Sequence, residues 1–242
     1  MPQMNGYGTF GDVVGHPATG IPAVYVYPEE KGVVEISLDF TGAGFMTYSL
    51  PPYNTKWRIF VDPAQPYFSF QAIYGHQELC AFLDYDGFRD GPFQDTDGWC
   101  VPREDFLSLD WHRSFLRELG YSERESEDAT YWYGRKILAH RFSQAYFLVY
   151  PQTKDIVDQS VVMNVDPPPA STSRLWLYFR PSEEKVVLPE PKLSLPKRSG
   201  YHIVELGYLT DNEIPKGVET KCDGGRVLQG VRWPPDESAS DD

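Results

Sequence analysis

His76 and Glu78 stand two residues apart in the stretch GHQELC. On an extended strand, side chains two apart point the same way, so an imidazole and a carboxylate at this spacing would reach one metal ion together. Two histidines and one carboxylate on one face of an iron make the ligand set of non-haem oxygenases. His140 or His202 would supply the second histidine. The same ligands, holding a zinc with an open position, would serve a hydrolase. No PCxxC follows the HxE triplet, so it does not fit the zinc-deaminase pattern.

Residues 84–98, DYDGFRDGPFQDTDG, hold five aspartates and three glycines. Calcium takes hard oxygens from a flexible loop with a glycine at its sharp turn. With Gly98 as the sixth residue of an EF-hand loop, Asp95 is third, Asp97 fifth and Glu104 twelfth, each a match. The first ligand position is Phe93, and Pro102 stands where the exiting helix would begin. Those two departures favour plain turn chemistry, because aspartate bonds its own backbone and glycine supplies positive φ.

Nucleophiles are scarcer. No GxSxG is present. Cys80 falls in an apolar run and reads as a small core residue. Cys100 follows the acidic turns, where carboxylates disfavour a thiolate. Cys222, beside Lys221, is the most reactive of the three, with no base in view. Asp110 and His112 are two apart, but on a helix such residues diverge, so a helix-capping aspartate is expected. The opening GYGTFGDVVGHPATG lacks the lysine of a P-loop. Trp176, Tyr178 and Arg180 alternate on one face of a strand; exposed, that row would anchor a partner, and packed beneath helices it would be core.

The 242 residues carry 22 basic and 35 acidic side chains, a net charge of −13. Nucleic acid and anionic membrane surfaces are therefore excluded as general partners, and a basic protein is the partner the long-range field favours. No run approaches a membrane span, and residues 1–17 show neither the cationic start nor the apolar stretch of a secretory signal. With an odd number of cysteines and no CxxC, the expectation is a cytoplasmic chain with free thiols.

The elements that must position these groups are mostly strands. Residues 1–22 read as loop. AVYVYPEEKGVVEISLDF reads as a hairpin turning near Pro28–Gly32, its second arm placing Val34, Ile36, Leu38 and Phe40 on one face and Glu35, Ser37 and Asp39 on the other. Further strands are expected at 44–50, 56–62, 67–74, 78–85, 145–150, 160–165, 173–179 and 201–209. Two helices fall between them. The first runs from an Asp110 cap to Gly120; the second follows a Ser122–Glu125 capping box and reaches about Phe142. The four-proline stretch 180–200 reads as an extended surface crossing.

This pattern predicts an α+β fold, predominantly antiparallel β, built as a sandwich or two-layer sheet with a two-helix insertion around 110–142. Residues 1–233 are expected to form one β-rich domain, with a weak boundary near 167–169, and 234–242 an acidic mobile tail. The function expected is an acidic binding protein that engages a protein partner through acidic and aromatic surface, with no cofactor and no catalysis. The alternative is a metal-dependent enzyme using His76, Glu78 and His140, or calcium held by Asp95, Asp97 and Glu104.

Overall fold

The computed structural model describes residues 18–42, 44–65, 67–71, 77–89, 91–137, 142–193 and 198–210. Along the chain the elements are β1 (Ala18–Tyr27), β2 (Gly32–Phe40), β3 (Phe45–Leu50), β4 (Trp57–Val61), β5 (Phe68–Gln71), β6 (Gln77–Cys80), β7 (Leu83–Phe88) and β8 (Trp99–Pro102). Then come α1 (Arg103–Phe106), α2 (Leu109–Glu118), α3 (Glu123–Ile137), β9 (Tyr146–Thr153), α4 (Lys154–Val157), β10 (Val161–Asp166), β11 (Ser171–Ser182) and β12 (His202–Thr210). The strands form a seven-stranded sheet, β3-β7-β1-β12-β11-β9-β8, and a five-stranded sheet, β10-β2-β4-β5-β6. The fold is thus the expected mixed α+β class, mostly antiparallel, with α1, α2 and α3 inserted between β8 and β9.

Two apolar clusters explain the layering. One joins Val34, Ile36, Trp57 and Ile59 of the smaller sheet to Leu83, Tyr150, Trp176 and Ile203 of the larger. The other joins the opposite face of the larger sheet, at Tyr25, Phe147, Leu177 and Leu206, to Phe106, Leu116 and Ala129 of the helices. The seven-stranded sheet is therefore covered on both faces.

That coverage decides which strands go where, and it corrects the hairpin expected at Pro28–Gly32. Successive residues Ala23, Val24 and Tyr25 of β1 are all buried, whereas β2 buries only every second residue. A strand apolar on both sides is stable only in the middle layer; a half-polar strand can face water on one side. So β1 pairs with β12 and β7, β2 pairs with β10 and β4, and the chain crosses between sheets at 28–31. The strand begins at Ala18, inside the stretch expected to be loop. The run 78–85 is likewise split at Ala81–Phe82, with β6 in one sheet and β7 in the other. Residues 167–169 connect β10 to β11, again strands of different sheets.

The helices follow their end signals closely. Ser122 and Glu125 form the reciprocal box: the Glu125 carboxylate accepts from the Ser122 N–H at 2.8 Å, and the Ser122 hydroxyl accepts from the Glu125 N–H at 3.3 Å. The same buried carboxylate accepts from Tyr27 OH and from Arg198 Nη1, tying the crossing segment to α3 and β1. Gly120, at φ 93°, ends α2. Its N–H bonds the Arg117 carbonyl and the Tyr121 N–H bonds that of Leu116, a Schellman motif with Leu116 and Tyr121 both buried. The N-cap is Ser108, whose hydroxyl accepts from the Trp111 N–H, in place of the expected Asp110. β11 and β12 run parallel, which requires a long crossover; the proline-rich stretch supplies it, irregular at 183–193 with Val187 fully out in solvent.

Candidate functional site

The aspartate-rich stretch is part strand, part turn. Asp84 to Phe88 belong to β7. Beyond them Gln94 organises the loop through its own amide: Oε1 accepts from the N–H groups of Thr96 and Asp97, and Nε2 donates to the Asp97 carbonyl. Buried Gln152 fastens this turn to β9, accepting from Gln94 N–H and donating to its carbonyl. Gly98 packs directly against the Val149 carbonyl and has no room for a Cβ. Phe93, at the first EF-hand position, turns inward and packs 4.8 Å from the Tyr178 ring. Asp95 pairs with Arg180, while Asp97 and Glu104 are exposed. The calcium arrangement of Asp95, Asp97 and Glu104 is not assembled: among the described residues no three His, Cys, Asp or Glu side chains gather as a metal site.

His76 and His140 lie outside the described residues. Glu78 is on β6, opposite Phe70. His202 opens β12 in the other sheet, stacks 4.7 Å from the Tyr27 ring and donates Nδ1–H to the Gly200 carbonyl at 2.8 Å. Nothing described brings His202 to Glu78.

The nucleophile candidates are also committed. Burial pushes the Cys80 thiol up to about 11, and its Sγ meets the Phe82 carbonyl. Cys100 Sγ accepts from the Val186 N–H. Buried His112 donates Nε2–H to the Phe106 carbonyl, and desolvation pulls its pKa down to about 3, so it is neutral at physiological pH. Asp110 is fully exposed and paired with Arg113. Cys222 lies outside the described residues.

The aromatic row is interior, a correction to its reading as a binding surface. Trp176 and Tyr178 are 0% and 2% exposed, because the five-stranded sheet lies over the face that carries them. Arg180, half-buried at the rim, donates to Tyr150 OH. Beside this row lies a polar network the alternation did not announce. Arg174 Nε donates to Glu205, Arg174 Nη1 donates to Asp158 and the Val161 carbonyl, and Tyr85 OH donates to Glu205. The signal was available: RLWLYF and IVELGYL each place one charge inside an otherwise apolar run.

The outer face of the five-stranded sheet carries what the aromatic row does not. Val33 pairs with Phe60, Phe60 with Ser69 and Ser69 with Leu79, so these residues line up across four strands. Val33, Phe60 and Leu79 are 41%, 37% and 67% exposed. Beside them a groove of about 590 Å³ is lined by Val33, Pro51, Pro52, Lys56, Arg58 and Phe60 among others. Lys31 Nζ sits 5.4 Å over the Phe60 ring. Lys56 and Arg58 share one carboxylate, Glu35. Sequence reasoning passed over these residues; the signal was an apolar side chain at the polar parity, Val33 with Glu35 and Phe60 with Arg58.

No helix among the described residues is long and apolar enough to cross a membrane. No protein-family model, curated protein or solved structure matches the chain.

Proposed function

We propose that this chain is a binding protein without catalytic chemistry, and that it engages a protein partner through the outer face of its five-stranded sheet. The observation that carries the reading is the in-register row Val33–Phe60–Ser69–Leu79 beside a groove whose charged lining is Lys56 and Arg58. Scattered apolar residues on a surface are ordinary, whereas exposed apolar side chains aligned across neighbouring strands and rimmed by charge, here Val33 and Phe60 with Leu79 beyond the buried Ser69, are typical of interaction sites. The occupant we favour is an extended protein segment presenting apolar side chains to the row and carboxylates to the cations. Beside the groove Lys56 and Arg58 share the one carboxylate of Glu35, an excess of one positive charge, on a chain of net charge −13; Lys31 is paired with Asp62. Net charge alone favours a basic partner, so the sign of the partner is part of the test.

A random-peptide selection against the full chain, followed by titration of the enriched peptides, decides it. Enriched sequences combining apolar and acidic residues are expected, with affinity falling at least about tenfold in Phe60→Asp and in Lys56→Glu/Arg58→Glu, since a central anchor is worth about 1–4 kcal/mol. Both variants change exposed positions and are expected to melt near the parent temperature. Peptides that bind these variants as tightly as the parent, or basic peptides that bind elsewhere, overturn the reading.

A further inference from the structure

Arg89 is 1% exposed. Its guanidinium lies 5.5 Å from the Trp176 ring and 5.9 Å from the Phe93 ring, within the apolar layer between the sheets. Nη2 donates to the Pro92 carbonyl, while Nε and Nη1 meet no acceptor. A guanidinium offers five N–H donors and no acceptor. Burial lowers its pKa only to about 10, so the group stays cationic at neutral pH. The network next to it has no spare charge to neutralise it: Glu205 pairs with Arg174, and Asp158 with both Arg174 and Lys154, two cations to two carboxylates. Among the described residues no carboxylate pairs with Arg89.

Three more polar atoms on residues that flank Arg89 or its turn are buried with no partner: Trp176 Nε1, Arg174 Nη2 and Ser160 Oγ. Arg174 lies 6.0 Å from the Trp176 ring and bonds the carbonyl of Val161, the residue after Ser160. The Ser160 hydroxyl packs against Gly91, in the turn that Arg89 closes through Pro92. Indole and guanidinium N–H groups can only donate, and a hydroxyl can. Trapped water would satisfy donors but leave the charge uncompensated. We propose that Arg89, Trp176 and Ser160 enclose a small monovalent inorganic anion of the chloride or nitrate type, held between the two sheets as the counter-ion of Arg89.

The test is a melting curve of the full chain at constant ionic strength, with gluconate replaced stepwise by chloride, nitrate or bromide. Melting temperature is expected to rise and saturate, by about 5–10 °C at a hundredfold excess over the dissociation constant. Arg89→Met, which keeps the apolar stem and removes the charge, is expected to show no such saturation. Where that variant does not fold, crystals of the parent protein grown with bromide supply the second measurement: an anomalous peak beside Arg89 and Trp176 supports the site. A melting temperature indifferent to the anion, a response shared by Arg89→Met, or bromide found only as adventitious surface ions overturns it. Asp90 lies outside the described residues; a counter-ion role for it would appear as the first of those outcomes.

Discussion

The buried pair Arg174–Glu205 joins neighbouring parallel strands at matched positions, and its two halves should not fail equally. Glu205→Gln removes one charge, but Arg174 keeps Asp158, a carboxylate that is 31% exposed and so partly solvated. Breaking a buried pair from one side costs about 3–5 kcal/mol, and this variant belongs at the low end, about 3 kcal/mol. Arg174→Met leaves Glu205, 0% exposed, with only the Tyr85 hydroxyl, so it belongs at about 5 kcal/mol. For a chain of this length each kcal/mol moves melting by about 2–4 °C. The expected drops are therefore about 6–12 °C for Glu205→Gln and about 10–20 °C for Arg174→Met. Arg174→Met/Glu205→Leu removes both charges and should recover much of the loss, because an apolar pair avoids the desolvation that both ions suffer. Urea unfolding and thermal melting of these three and of Glu205→Leu, the single variant that closes the double-mutant cycle, provide the measurement. Glu205→Gln proving the worse single variant, or the double variant falling by the full sum, would refute the reasoning.

Two further outcomes are expected. Gly207→Ala places a Cβ 2.6 Å from the Trp176 ring, which is held by packing on both sheets, so it should lose about 1–3 kcal/mol and shift tryptophan emission; parent-like melting would show that the ring can yield. His112, whose folded pKa of about 3 lies below the ordinary 6.5, adds a pH slope. The unfolded chain takes the proton first, so this contribution is complete above about pH 6.5 and declines toward about pH 3. By pH 4.5 it amounts to about 2–3 kcal/mol of lost stability, which His112→Gln should not show; equal slopes in the two proteins would contradict the assignment.

Much of the local structure was legible. The alternation of Val34, Ile36 and Leu38 gave β2 its inner face, and Ser122, Glu125 and Gly120 marked helix ends that the structure reproduces bond for bond. These signals are local: a cap or an alternating face depends on residues a few positions apart. The candidate sites were not legible to the same degree. Phe93 at the first calcium position was a warning in the sequence, but that Gln94 and Gln152 build the turn is seen only with β9 alongside. Whether Trp176 and Tyr178 met a partner or a core depended on a second sheet whose position no spacing encodes.

Sequence by itself determined which side chains share a face of each strand, the box that opens α3 and the glycine that closes α2, because backbone period and end hydrogen bonds act over single turns and pleats. Tertiary structure alone decided what lies opposite each face. It split β1 from β2 and β6 from β7 between two sheets, closed the aromatic row inside, and set Arg89 against Trp176 with no carboxylate paired to it among the described residues. Those outcomes follow from burying apolar area between layers far apart in sequence, and burial is a property of the assembled surfaces rather than of any one segment.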